Sequence, residues 1–300
     1  MPITASQFSS LRTARDRLIS CLAVEEAFAV ALANYVSLET AIAAANVSNM
    51  VERSLERVEL EEQRREIDRH LVNLLATGQM FTDHADRLLC RDFGRRSAEK
   101  GEFDASLEKQ RQALLGFAAT EHLRDAVLHQ ALPVASWTTG GQWVGIETDK
   151  GGVDKRNPHA RLEHSVSFDL DPSILAGSRD VDPALIGELR QRAGSGGRVP
   201  WVPVIREYVE GLSMVLGEVR RIYDPIETSS ALMLADFTER YTLALGPALG
   251  RPPVVIAVEL DEGGAWLSEV PLCFDYDARV SDLRRRHRPM VNLHRRALRG

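Results

Sequence analysis

The stretch from Asp104 to Pro133, DASLEKQRQALLGFAATEHLRDAVLHQALP, decides how the rest of the chain is read. Asp104 stands where a helix N-cap belongs, and Leu107, Leu114, Leu115, Phe117, Leu123, Val127 and Leu128 then recur at helical spacing. Pro133 lacks an amide hydrogen and disfavours helix in the residue before it, so the segment should stop there. An amphipathic helix of this length needs apolar partners, and the preceding sequence supplies three.

From Ser9 to Ala45, Leu11, Leu18, Leu22, Val24, Phe28, Leu32, Tyr35, Val36 and Ile42 fall on a helical repeat, giving a long first helix. Asn49, with Glu52 three residues on, resembles a capping box for a second helix carrying Val51, Leu55, Val58, Ile67, Leu71 and Leu75. Gly78 permits a break before a third segment with Phe81, Leu88 and Leu89, and the charged stretch 91–103, with Gly94 and Gly101, reads as a solvated connection. Residues 1–132 therefore read as a four-helix antiparallel bundle with short loops.

Beyond Pro133 the pattern changes. Thr138-Thr139-Gly140-Gly141 reads as a turn, Gln142 to Glu147 as a short strand, and Val166, Phe168 and Leu170 as the inward residues of another. Asp182-Pro183 opens a short helix that should stop at Gly194-Ser195-Gly196-Gly197, a cluster without the Gly-Lys-Ser/Thr ending of a phosphate loop. Ile205, Tyr208, Val209, Leu212, Val215, Leu216, Val219 and Ile222 share one helical stripe, which Asp224-Pro225 should close ahead of a further helix to about Leu245. Val254 to Leu260 and Ala265 to Phe274 read as two strands around Asp261-Glu262-Gly263-Gly264. The expected architecture is mainly α, with short strands within 140–170, helices within 182–245 as part of one domain of residues 1–245, and a C-terminal β-hairpin and basic tail over 246–300.

Composition sets limits on function. The chain of 300 residues is 44% hydrophobic and 27% charged, ordinary for a folded protein, and its net charge of −6 offers no general attraction to nucleic acid or anionic lipid. Any nucleic-acid contact must come from a local basic surface. Cys21, Cys90 and Cys273 have no paired spacing and suggest neither a disulfide framework nor a zinc site. The start lacks the pattern of a signal peptide. The apolar stretch from Ala27 to Val47 is interrupted by Asn34, Ser37, Glu39 and Asn46, which argues for a core helix in a cytoplasmic protein rather than a membrane span.

Of the eight histidines, His129 has the most informative surroundings, Leu123-Arg124-Asp125-Ala126-Val127-Leu128-His129-Gln130-Ala131-Leu132-Pro133. Arg124, Asp125 and His129 resemble the Arg-x4-His signature of the HEPN superfamily, in which a polar residue follows the Arg and, in several branches, a Leu-Pro step follows the His. Asparagine is the commoner residue after the Arg, so Asp125 is a variant. The resemblance covers the bundle to about Leu170 and leaves the last fifty residues unassigned.

The resemblance implies a metal-independent endoribonuclease without a cofactor, a HEPN-like bundle fold, a homodimer with a composite cleft, and a role as a toxin or antiviral defence effector. It also implies a nucleotidyltransferase-type antitoxin as a possible companion. The residue types suit the chemistry: histidine, with an ordinary pKa of about 6.5, exchanges protons near neutrality, and the arginine fork suits a phosphate that gains charge. Asp125 would orient Arg124 or His129. Five residues on a regular helix place Arg124 and His129 about 140° apart, so convergence needs a loosened last turn, the reach of the arginine, or a second copy. Without the resemblance, Arg124 and Asp125 read as a surface ion pair and His129 as a cation suited to a helix C-terminus. A non-catalytic HEPN dimer acting as scaffold or RNA-binding partner lies between the two.

His122 lies on nearly the same helix face as His129 and could assist. His159 and His164 have no carboxylate at metal-ligand spacing, so no metal is expected. The run Arg284-Arg285-Arg286-His287-Arg288 has no acidic residue after Asp282 and could hold RNA phosphates through Arg284, Arg285, Arg286 and Arg288.

Overall fold

Thr4 and Gln7 start the first helix as a reciprocal pair, the Thr4 amide donating to Oε1 of Gln7 at 2.8 Å and the Gln7 amide to the Thr4 hydroxyl at 3.1 Å. From there the computed structural model carries one helix, α1 (Ala5–Val51), through 47 residues. The structure describes residues 2–51, 57–129, 136–145, 152–155, 157–177, 181–193, 197–245, 255–272 and 275–296. Among these it is mainly helical, with a few short strands.

The polar residues that interrupt α1 do not break it, because they bond back onto its own carbonyls. Asn34 Nδ2 donates to the Val30 carbonyl at 3.1 Å, Ser37 to Ala33 at 3.0 Å and Asn46 to Ile42 at 2.9 Å. Asn49 does the same to Ala45 at 2.7 Å, so it sits inside α1 and caps nothing, and Glu52 lies outside the described residues. By length and composition α1 could cross a membrane, a test that the core helix of a folded protein also meets, and 44% of its most apolar stretch is buried within the fold.

Helix α2 (Arg57–Asp92) runs through Gly78 without a break. A Cβ at Gly78 would lie 2.1 Å from the Tyr208 hydroxyl, so this glycine provides a close approach and not a turn. The turn comes after α2, where Gly94 takes φ +104°. Ser97, not Asp104, then caps α3 (Ala98–Ala113), accepting from the Lys100 amide at 3.1 Å. Asp104 sits within α3 and pairs with Lys100, and Phe103, expected in a solvated connection, is fully buried. The segment quoted at the outset is also two helices: the chain is irregular at Leu114 and resumes as α4 (Leu115–His129).

Strand β1 (Ser136–Val144) contains Thr138 to Gly141, so the expected turn is strand. It pairs antiparallel with β2 (Arg161–Leu170), from Ser136 opposite Asp169 to Val144 opposite Arg161. On the other edge of β2, the two-residue β3 (Val199–Pro200) leads into α6. Phe168 and Leu170 are buried as their alternation requires. Between β2 and β3 come a 3₁₀ turn (Pro172–Gly177) and α5 (Pro183–Gln191), whose Asp182 carboxylate caps the Ala184 amide at 2.8 Å.

Helix α6 (Trp201–Leu245) buries the stripe from Ile205 to Ile222 and continues past Pro225. The expected stop fails for a physical reason: burial resumes on the same face at Tyr223, Ser230 and Leu234, while Pro225 and Arg221 are exposed, leaving the unpartnered carbonyl to water. Strands β4 (Ile256–Leu260) and β5 (Trp266–Pro271) pair antiparallel around a turn in which Asp261 Oδ1 accepts from the Gly263 and Ala265 amides at 2.9 and 2.8 Å and Gly264 takes φ +82°. The basic run expected as a tail lies partly in a helix, α7 (Tyr276–Arg286).

Contacts group these elements into two compact units, one of Met1–Ala29, Phe81–Leu107 and Ser213–Pro289, the other of Val30–Met80, Glu108–Leu212 and Met290–Gly300. In the first, Ser20 bonds Arg91 and the Phe28 and Phe81 rings meet edge to face at 5.4 Å, so α1 and α2 run antiparallel there. In the second, Asn34 meets Thr77 at 3.3 Å. These units do not follow chain order, and residues 255–272 and 275–289 group with the N-terminal part of α1.

Candidate functional site

The helix that carries Arg124 and His129 is positioned from its beginning. Gly116, in the first turn of α4, has an amide without a partner in its own helix, and it donates to Oε2 of Glu207 at 2.7 Å. Glu207 is 5% exposed and its other oxygen takes a 2.6 Å bond from Arg192 Nη1, so a carboxylate of α6 caps α4 from outside. The contact requires glycine, since a Cβ on Gly116 would come within 2.2 Å of the Val204 carbonyl oxygen. A second close approach follows, where a Cβ on Gly211 would overlap the Phe117 ring. Further along, α4 packs on the 3₁₀ turn and on α5.

Arg124 and Asp125 lie in the last turns of this anchored helix, each half-buried. Arg124 donates to Oδ1 of Asp125 from Nε at 3.0 Å and from Nη2 at 2.6 Å. One carboxylate oxygen thus fixes the plane of the guanidinium. The backbone is α-helical to His129, so the last turn before that residue is not unwound. Of the three ways in which the pair could converge, the reach of the arginine and a second copy remain. The His129 side chain and residues 130–135, including the Leu132-Pro133 step, lie outside the described residues. His122 is half-buried on α4. His159 donates its amide to Asn157 Oδ1 at 2.8 Å in a loop turn, and the His164 side chain lies outside the described residues. No group of three or more His, Cys, Asp and Glu side chains among the described residues could hold a metal ion.

The basic C-terminal run divides. Arg284, expected on an RNA surface, is committed to the interior, donating to Glu25 at 3.2 Å and to Glu227 at 2.7 Å. Arg285 and Arg286 are exposed and pair with Asp282 at 3.5 and 2.8 Å, and Arg288 is exposed. His287 is buried, its ring edge to face with Phe28 at 5.6 Å; burial and the nearby Arg220 and Arg286 hold its pKa below the ordinary value despite Glu25.

The last residues are strapped down as well. Glu210, 7% exposed, accepts from the amides of Asn292 and Leu293 at 2.9 Å each and lies 3.0 Å from His294 Nδ1. Burial pushes this carboxyl up, but these three partners bring it below the usual glutamate value. Removing residues 290–300 would strand that carboxylate. The truncated chain should lose upward of about 2 kcal/mol in urea unfolding, and Glu210→Leu in the truncated chain should restore part of the loss. An unchanged unfolding midpoint would show that the strap contributes nothing.

Sequence reading missed Glu207 and Glu210. The available signal was an acid on each flank of an otherwise apolar stripe, with Gly211 beside them. Neither a scan against protein-family models nor searches of curated proteins and of solved structures returns a match to this chain.

Proposed function

We propose that the chain is a HEPN-like, metal-independent endoribonuclease, a cytoplasmic homodimer that acts as a toxin or antiviral defence effector and carries a C-terminal β-hairpin extension to its helical bundle. The observation that carries the reading is the placement of Arg124, Asp125 and His129 in the last turns of one helix whose start is pinned by a buried carboxylate. In this reading the ribose 2′-hydroxyl attacks the adjacent phosphorus, the bond to the 5′-oxygen breaks, and a 2′,3′-cyclic phosphate and a 5′-hydroxyl result. His129 moves the proton, and Arg124, oriented by Asp125, stabilises charge on the phosphorane. No metal or cofactor takes part. His122 is the assisting residue, Arg285, Arg286 and Arg288 contact RNA phosphates, and a nucleotidyltransferase-type protein is a fitting antitoxin.

A second reading is a non-catalytic HEPN dimer that serves as a scaffold or an RNA-binding partner. What favours it is that the Arg124 guanidinium already has Asp125 as a counter-ion. The test is incubation of purified protein with total RNA in EDTA and chemical identification of the ends. Fragments with 2′,3′-cyclic phosphate and 5′-hydroxyl ends support the nuclease. Intact RNA from a protein that still binds it supports the second reading.

A further inference from the structure

In the unit formed by Met1–Ala29, Phe81–Leu107 and Ser213–Pro289, a surface pocket of about 220 Å³ opens between the second and third turns of α1 and the middle of α6. Ser9, Ser10, Thr13 and Arg17 line it from one side, Ser229 and Ser230 from the other, with Ala14 and Met233 completing the lining. It therefore presents five hydroxyls and one guanidinium and no carboxylate, in a chain where 43 acidic residues outnumber 37 basic ones.

The lining has unused donors. Thr13 gives its hydroxyl hydrogen to the Ser9 carbonyl at 3.0 Å and Ser229 gives its own to the Ile226 carbonyl at 3.1 Å. Among the described residues, the hydroxyls of Ser9, Ser10 and Ser230 have no such partner, and Ser230 is only 3% exposed. Ser9 and Ser10 are exposed, and the Ser230 hydroxyl is not among the fully covered polar atoms that lack a partner, so all three stand open to a molecule that enters the pocket. Arg17 is in the same position. The other half-buried arginines each face a carboxylate: Arg15 faces Asp16, Arg64 Asp68, Arg111 Glu121, Arg124 Asp125, Arg206 Glu39, Arg220 Glu25 and Arg284 Glu227. Among the described residues, Arg17 alone of the half-buried arginines has none.

A half-buried cation without a counter-ion, surrounded by hydroxyl donors and no acceptor of negative charge, is complementary to an oxyanion. We propose that this pocket binds a phosphate group, with the Arg17 fork on two of its oxygens and Ser9, Ser10 and Ser230 donating to the others. A phosphate offers these several donors more acceptor oxygens, and more charge, than the two oxygens of a carboxylate. The site stands on the α1 and α6 residues alone and is independent of the ribonuclease reading.

The test is a chemical-shift titration of the full chain with inorganic phosphate at constant ionic strength, chloride replacing phosphate in the control. Thermal shifts alone would not serve, because phosphate stabilises folded proteins by exclusion from their surface. Saturable shifts centred on Ser9, Arg17 and Ser230 are expected. Arg17→Gln should weaken binding at least about tenfold, as loss of a charge-assisted bond does. Ser230→Ala should weaken it by a smaller factor, and Arg17→Lys should retain part of it.

Competition by 2′-O-methyl RNA oligomers, which have no free 2′-hydroxyl to react, identifies the source of the phosphate. Stronger competition by a 5′-phosphorylated oligomer than by its 5′-hydroxyl twin marks a terminal monoester, equal competition marks a backbone diester, and none by either marks free phosphate. Each of these keeps the site. Absence of saturable shifts overturns it, as does unchanged affinity in folded Ser230→Ala together with either Arg17 variant.

Discussion

Replacing His129 with alanine should lower the rate of RNA cleavage by about 10²–10⁴-fold, the usual contribution of a general acid or base. The fold should survive, because α4 is held by groups distant from this position: Glu207 at its first turn, Leu123, Phe117 and Ala119 in the core, and the 3₁₀ turn and α5 alongside. Arg124→Ala should be similarly damaging. Arg124→Lys should restore only part of the activity, since an ammonium keeps the charge and loses the fork that Asp125 Oδ1 now engages twice. The measurements are the cleavage rate in EDTA and circular dichroism of each variant. Activity that falls only in proportion to the folded fraction would make the histidine structural and would favour the scaffold reading.

Legibility of the fold followed the reach of each signal. Buried stripes on long helices were plain where packing is continuous: every position named from Ile205 to Ile222 is buried, whereas Val36 on α1 and Val58 on α2, named on the same grounds, are exposed. The Asp182-Pro183 start of α5 was equally plain, since its capping bond closes within three residues. Gly78 and Pro225 were misread because tertiary packing uses them, whereas Asn49 and Asp104, read as caps, bond within their own helices. Glycine costs a helix about 1 kcal/mol and an interior proline about 3, and tertiary burial overrides both. Gly78 makes room for Tyr208, and Pro225 is carried by the burial that resumes at Tyr223 and Leu234.

The candidate site was legible only as a motif. Its supports lie 91 residues away in sequence for Gly116 and Glu207, and nothing local in Gly116 announces its partner. The same holds for Arg284, read as a surface cation because its neighbours are basic, while its carboxylate partners are 259 and 57 residues away. The charge run is visible locally, whereas the carboxylates that hold Arg284 are not.

That ion pairing leads to the largest stability effect expected in this protein. Glu25, 1% exposed on α1, accepts a bidentate pair from Arg220, Nε to Oε1 and Nη2 to Oε2 at 2.7 Å each, and a third bond from Arg284. Arg220 also donates to the His287 carbonyl at 3.0 Å, and Arg284 reaches Glu227 and lies 3.7 Å from the exposed Asp224, so two cations stand among three carboxylates. Glu25→Ala removes the member that both arginines share, leaving Arg220 with no carboxylate and Arg284 with Glu227 and the exposed Asp224. Breaking a buried pair in this way costs about 3–5 kcal/mol, to be read from urea unfolding, and a double-mutant cycle with Arg220→Ala should show strong coupling.

Glu227 should behave differently. Burial raises its pKa, with Asp224 and Glu25 adding to the rise and Arg284 opposing it. A carboxyl whose folded pKa is raised contributes stability that is fully present below its unfolded pKa and is lost as pH rises through the folded value. Glu227→Gln should therefore be tolerated far better than Glu25→Ala at neutral pH, and any advantage of wild type over Glu227→Gln should shrink as pH rises from the acid side toward neutrality. An unfolding midpoint that does not move in Glu25→Ala would mean that the arginines find water as good a partner as this carboxylate, and the cluster would not be what holds α1, α6 and α7 together.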